Sequence, residues 1–117
     1  MSSLEAVQTN IVIRRYRTFR RDFTFKNPDG TIADLSAYTI TSQMRVDNDY
    51  GATLIGALNV DDTDKAIGEV SIYLSIAETG LLTPQTGYFD ILFDNGVESE
   101  SWIEGQVEIR QSITNQP

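Results

Sequence analysis

The chain contains no cysteine and no histidine. It therefore cannot form a disulfide, a thiolate nucleophile, a Ser-His-Asp triad, or a zinc or haem site built on Cys or His. The sequence also has no glycine-rich phosphate-binding loop. These absences predict a protein that is not an enzyme, with no catalytic residues and no cofactor.

Long apolar runs are missing as well. None approaches the ~20 residues that a membrane-spanning helix needs, and the N-terminus lacks the basic-then-apolar pattern of a signal peptide. We therefore expect no membrane partner. A chain of 117 residues without an internal repeat or a linker fits one domain. Polar residues near the start predict a flexible N-terminal arm at 1–10, followed by a single β-sandwich domain at 11–117.

The net charge of −8 is unevenly distributed along the chain. Residues 1–26 contain six basic and two acidic side chains, a balance of +4, whereas residues 27–117 contain three basic and 15 acidic side chains, a balance of −12. An acidic bulk repels phosphate groups, which argues against general nucleic-acid binding. A more natural partner for the basic segment is an acidic protein surface.

Short runs of alternating apolar and polar residues recur every ten to fifteen positions, which is typical of half-buried strands. In 69–75, for example, Val70, Ile72 and Leu74 share one face. The one plausible helical turn, within 76–84, is too short for a crossover between parallel strands. The sequence therefore predicts an all-β fold, specifically an antiparallel immunoglobulin-like β-sandwich of about seven strands. The other predicted strands are 11–16, 19–25, 38–46, 53–60, 87–93 and 102–109.

Turn and core motifs resemble a family of small β-sandwich domains from bacteriophage virions. The motifs are Asp29-Gly30 with Ala33-Asp34-Leu35-Ser36, Gly68-Glu69-Val70, Gly87-Tyr88-Phe89-Asp90-Ile91, and Ile103-Glu104-Gly105-Gln106-Val107. Together they are similar to the N-terminal domain of phage baseplate upper proteins and to small phage tail or neck proteins. The resemblance implies a non-enzymatic structural subunit of a tail, baseplate, neck or decoration, made in the host bacterial cytoplasm and located in the virion. It implies other virion proteins as partners.

Three groups of acidic residues are candidates for chemistry. Asp61, Asp62 and Asp64 could ligate calcium, but their spacing does not match an EF-hand loop, so a solvated acidic turn is the alternative. Asp47 and Asp49, with the nearby Tyr50, are a second calcium candidate. Asp90 and Glu104 fall on adjacent predicted strands and could serve glycoside hydrolysis. The alternation of both strands places these two side chains opposite the core, so charged side chains facing solvent are the simpler interpretation.

Trp102 is a candidate interface residue. The alternation that buries Ile103, Val107 and Ile109 turns the Trp102 side chain outward. An exposed tryptophan on a strand could cap the sandwich rim, contact another protein or stack on a sugar.

A predicted basic hairpin provides the remaining interface candidates, which are Arg14, Arg15, Tyr16, Arg17, Arg20 and Arg21. Such a hairpin is a solvated face, a docking surface for the acidic side of a neighbouring copy, or a contact with DNA in a portal or neck channel. Head-to-tail docking would produce a homo-oligomer. Two alternatives to a virion subunit stay open: a carbohydrate-binding module, and an assembly-time chaperone or regulator.

Overall fold

The computed structural model describes residues 7–49 and 51–113, and about half of them lie in β-strands. The fold is all-β, as the alternating pattern predicted. In chain order, the elements are β1 (Val7–Gln8), β2 (Ile11–Arg14), β3 (Phe19–Thr24), β4 (Thr39–Arg45), β5 (Leu54–Asp61), a 3₁₀ turn (Lys65–Ile67), β6 (Glu69–Leu74), the helix α1 (Ile76–Gly80), β7 (Gln85–Asp94) and β8 (Ser99–Arg110).

The strands form one continuous, strongly curled sheet. Hydrogen-bonded neighbours follow the order β1-β8-β7-β4-β5-β6-β3, and β2 lies beside β1 on the same edge of β8. The curl brings the β6 and β3 side over the β7 and β8 side. Ile72 of β6 and Ile91 of β7 therefore belong to one hydrophobic core, and the rings of Phe25 and Phe93 lie 5.2 Å apart. The curl makes the sheet nearly barrel-shaped. The sheet is also mixed, because β1 and β2 run parallel to β8.

The expectation of a purely antiparallel sheet is wrong at one edge. Strands β1 and β2 run parallel to β8, with Val7 opposite Ile103 and Ile11 opposite Val107. A parallel pair needs a long crossover connection between its strands. Here almost the whole domain forms that connection, so no crossover helix is required. A crossover helix is needed only where the two parallel strands are close together along the chain.

The predicted basic hairpin is also wrong. Strand β2 pairs with β8, whereas β3 pairs with β6 in antiparallel fashion. The chain turns at Tyr16, which has a φ of 59°, in the left-handed region that non-glycine residues rarely adopt. The arginine-rich segment is therefore a corner between the two edges of the sheet, and its arginines do not share one hairpin face.

Local predictions of turns agree with the structure. Asn27 begins a turn in which its carbonyl accepts a hydrogen bond from Gly30 N at 2.9 Å, and Gly30 has a φ of 89° that suits glycine. The predicted helical turn is α1. It begins with a capping box, in which Ser75 Oγ accepts from Glu78 N and Glu78 Oε1 accepts from Ser75 N.

Trp102 is buried, with 3% of its surface exposed, so the prediction of an outward tryptophan is wrong. Ile91 pairs with Ile103 but its neighbour Leu92 pairs with Ser101, which leaves Trp102 as the extra residue of a β-bulge. The bulge reverses the alternation at this point and turns both Trp102 and Ile103 inward. The indole stacks on Phe93 with ring centroids 4.7 Å apart.

The N-terminal end of the described chain lies against β8. Thr9 N donates to Glu104 O at 2.8 Å, and Gln106 N donates to Asn10 Oδ1 at 3.1 Å. Residues 7–10 of the expected arm therefore continue the sheet edge. Residues 1–6 of that arm lie outside the described residues.

Candidate functional site

The first candidate surface is the turn between β2 and β3, which we call the basic corner and define as Arg14, Arg15, Tyr16 and Arg17 together with the neighbouring Leu81. It is held by the buried end of α1. Thr79 Oγ1 donates to Arg17 O at 2.8 Å and accepts from Arg17 N at 3.2 Å. The Arg15 guanidinium donates to Gly80 O at 2.9 Å. These bonds fix the corner against the body of the domain.

Tyr16 is presented outward by this scaffold. Its ring lies so close to Gly80 that a Cβ at that position would be 2.6 Å from Tyr16 Cε1. Nevertheless 46% of the Tyr16 surface is exposed, and Leu81, which follows Gly80 in the chain, is 85% exposed. A rigid aromatic side chain flanked by arginine is a common composition for protein-interface hot spots.

Arg20 and Arg21 lie on β3, away from the corner. The Arg21 guanidinium sits 6.0 Å from the centroid of the Phe23 ring. Arg20 donates to Asp22 at 3.0 Å and to Asp61 at 3.1 Å, and Ser71 Oγ donates to Asp22. Arg20 therefore connects β3, β5 and β6, which is a structural role.

This network lowers the pKa of both carboxyl groups. A hydrogen bond from Ser71, followed by one from Arg20, holds the pKa of Asp22 below its ordinary value of 3.8. Hydrogen bonds from Thr63, followed by one from Arg20, have the same effect on the pKa of Asp61. A carboxyl group with a depressed folded-state pKa stabilises the fold above its unfolded pKa, and the stabilisation is lost as the pH falls below that value.

We therefore expect the free energy of unfolding to decrease between about pH 6 and about pH 3, and to decrease less in the double variant Asp22→Asn, Asp61→Asn. Urea unfolding at both pH values measures the difference. Asp47→Asn, which removes a carboxylate outside this network, is the matched control. Equal pH dependence in the wild type and the double variant would contradict a role for the network in acid stability.

Two of the three acidic calcium candidates around the end of β5, Asp61 and Asp62, have other partners in the structure. Asp61 is bound to Arg20, and Asp62 lies 3.7 Å from Lys65 Nζ. Across residues 7–49 and 51–113, no three acidic side chains converge as metal ligands would. Asp47 and Asp49 accept hydrogen bonds from the backbone N–H groups of Asn48 and Gly51. Tyr50, which the sequence placed beside them, lies outside the described residues.

A second charged surface lies at the opposite end of the β7–β8 hairpin. We call it the acidic turn and define it as Asp94, Val97, Glu98 and Glu100. Val97 is 93% exposed at the tip of the turn. Asn95 Oδ1 accepts hydrogen bonds from the backbone N–H groups of Val97 and Glu98, which orders the turn.

The third surface is a polar groove of about 660 Å³ on the outer face of β4, β7 and β8. The strand register arranges its floor in three rows of outward side chains. The first row is Arg45, Tyr88 and Gln106; the second is Gln43, Asp90, Glu104 and Gln8; the third is Thr41, Leu92 and Ser101. The acid pair that the sequence singled out, Asp90 and Glu104, therefore lies at the centre of the groove.

Hydrogen bonds order these side chains. Asp90 Oδ2 accepts from Ser101 Oγ at 2.5 Å, and Glu104 Oε1 accepts from Gln8 Nε2 at 3.2 Å. The Arg45 guanidinium donates to Gln43 Oε1 at 2.9 Å. Each carboxylate keeps a second oxygen with spare acceptor capacity, so the groove can still bind hydroxyl or N–H groups.

Alternation predicted that the groove residues of β4, β7 and β8 other than Ser101 face outward, but it did not predict the groove itself. Tyr88 and Arg45 are 43 residues apart in the sequence and become neighbours only through the β4–β7 register. The sequence signal for the groove is the row of outward-facing residues on each of the three predicted strands, 38–46, 87–93 and 102–109. Pairing these strands in the correct register would have brought the residues together.

Comparison with known proteins adds little to this geometry. No family model and no curated protein sequence matches the chain. Among solved structures, the chain is similar to InlP of Listeria monocytogenes, with 12% identity and a TM-score of 0.48 over 88% of this chain and 26% of InlP. It is also similar to a family 123 glycoside hydrolase from Clostridium perfringens, with 15% identity and a TM-score of 0.40 over 92% of this chain and 23% of the hydrolase. The chain thus spans about a quarter of each protein, and neither likeness carries a functional argument.

The described part of the chain contains no helix long and apolar enough to cross a membrane.

Proposed function

We propose that this chain is a non-enzymatic structural subunit of a bacteriophage particle that docks onto other virion proteins, including copies of itself. The family resemblance of its turn and core motifs supports this proposal. We also propose that the curled sheet is an immunoglobulin-like sandwich, since its two sides pack face to face through one core. In this proposal the protein works by shape and charge complementarity, without a chemical step.

The observation that carries the proposal is the separation of two complementary surfaces. The basic corner combines arginines with the exposed apolar surface of Tyr16 and Leu81, and the acidic turn combines carboxylates with the exposed Val97. Each surface therefore offers an apolar centre beside charges of one sign. Complementary charge promotes association and fixes its orientation.

The geometry favours docking between copies over closure within one copy. Arg14 pairs with Arg110 at the C-terminal end of β8, whereas the acidic turn lies around the N-terminal end of β8. Glu100, the acidic residue of that turn within β8, precedes Arg110 by ten residues, a distance of roughly 33 Å. This exceeds the Debye length of ~8 Å at physiological salt, so each end attracts its partner independently. The basic corner of one copy would therefore dock onto the acidic turn of the next copy. Such head-to-tail docking forms a closed ring if the rotation between neighbouring copies permits closure.

Charge reversal in the basic corner tests this interface. We expect the wild type to self-associate at about 0.1 M salt and to lose this association at about 1 M salt, where the Debye length falls to ~3 Å. The double variant Arg14→Glu, Arg17→Glu should abolish the association at about 0.1 M salt as well. Sedimentation velocity measures the association. Lys26→Glu is the control, because it reverses an exposed positive charge outside the corner. Adding Glu98→Arg to the double variant should partly restore association.

Mass spectrometry of purified particles tests the biological assignment. The protein is expected in a fixed stoichiometry with other virion proteins. A strict monomer at high concentration and low salt, together with absence of the protein from purified particles, would overturn the proposal.

A further inference from the structure

We propose that the polar groove on β4, β7 and β8 binds a neutral oligosaccharide. The proposal rests on the mixture of hydrogen-bonding groups in the groove. Carboxylates only accept, a guanidinium only donates, and amides do both, whereas each sugar hydroxyl donates one bond and accepts others. Asp90, Glu104, Arg45, Gln43 and Gln106 supply all three kinds of group. The volume of about 660 Å³ lies within the range of ~300–1,000 Å³ that is usual for small-ligand sites.

The floor of the groove also offers apolar surface for the C–H faces of a sugar ring. Tyr88 and Leu92 lie four residues apart on the central strand β7, on either side of Asp90, and both are half-buried with their outer surfaces in the groove. An amphipathic aromatic ring suits a ligand that is apolar on one face and polar around its edge. Tyr88 is thus placed to stack on a sugar, which was one of the alternatives that the sequence left open for Trp102.

The charge of the groove selects among ligand classes. Asp90, Glu104, Asp47 and Asp49 outnumber Arg45, and this excess of negative charge disfavours phosphates and acidic sugars. A neutral sugar meets no such penalty, because its hydroxyls can donate to the free carboxylate oxygens.

The backbone of the floor argues against an extended peptide. Strand β7 is paired with β4 on one side and β8 on the other, and β4 is paired with β5 and β7. Peptides that add to a sheet need the unpaired N–H and C=O groups of an edge. The floor presents only side chains, which is the contact mode available to a sugar.

Titration with cellohexaose, xylohexaose, maltohexaose and chitohexaose, followed by ¹H–¹⁵N NMR, tests the proposal. We expect at least one of these sugars to shift the amide signals of β4, β7 and β8. Tyr88→Ala should weaken that binding by about tenfold or more, and Asp90→Asn should weaken it less. Tyr73→Ala is the matched control, since it removes an exposed tyrosine from β6 on the other side of the domain and should leave the affinity unchanged.

Three results would overturn the proposal: no shift with any of the four sugars, shifts that map outside the groove, or binding that Tyr88→Ala leaves unchanged while its spectrum stays folded. Binding of an oligolysine peptide to the groove without binding of any sugar would also overturn it and identify a cationic ligand. The groove variants keep the basic corner and the acidic turn, so self-association should persist in them whatever the outcome with sugars.

Discussion

Replacing Trp102 by alanine is expected to lower the free energy of unfolding by about 3–5 kcal/mol, the range for truncating a buried large aromatic side chain. The indole stacks on Phe93 and meets the Tyr38 ring edge-on with centroids 5.1 Å apart. Alanine would leave a cavity between these two rings. Because Phe93 lies on β7 and Tyr38 lies just before β4, the two rings belong to separate segments of backbone, and the cavity cannot close by a side-chain movement alone.

Urea unfolding monitored by circular dichroism measures this loss, since the variant has no tryptophan to report by fluorescence. Trp102→Phe is the control. It keeps an aromatic ring but loses the indole N–H bond to Glu100 Oε2 at 2.9 Å, so we expect it to cost about 1–2 kcal/mol. A loss below about 1 kcal/mol for Trp102→Ala would mean that the side chain is at the surface.

The fold class follows from the sequence because alternation is a local property. Val70, Ile72 and Leu74 are all buried in β6, and Ile103, Val107 and Ile109 are buried in β8, as their parity predicted. Trp102 was placed wrongly because a bulge adds one residue to a strand and reverses the parity beyond it. The bulge depends on the partner strand β7, so the alternation within β8 alone does not reveal it.

The candidate surfaces depend still more on contacts that are distant in sequence. Parity predicted that Gln43 and Glu104 face outward, but only the pairing of β4 with β7 and β7 with β8 places both in one groove. The basic corner also depends on distant contacts. The sequence shows a cluster of arginines, but only the pairing of β3 with β6 places Arg20 away from Arg17.

Replacing Gly105 by alanine is expected to lower the free energy of unfolding by about 3 kcal/mol, at the upper end of the usual range for overpacking. The backbone approaches closely at this glycine. A Cβ at Gly105 would lie 1.9 Å from Thr9 O, and backbone atoms cannot yield as a flexible side chain can. The chain between β1 and β2 must therefore move away from β8.

This displacement has a local signature. The hydrogen bond from Thr9 N to Glu104 O should break, so hydrogen exchange at the Thr9 amide should become fast while the amides of β6 stay protected. Gly56→Ala is the matched control, because a Cβ there would have its nearest contact at 3.8 Å, with the end of the Met44 side chain. If both variants have the same stability and the Thr9 amide stays protected in Gly105→Ala, the chain between β1 and β2 does not lie against β8 at Gly105. β1 would then not pair with β8, and the groove floor would lose Gln8 from its second row.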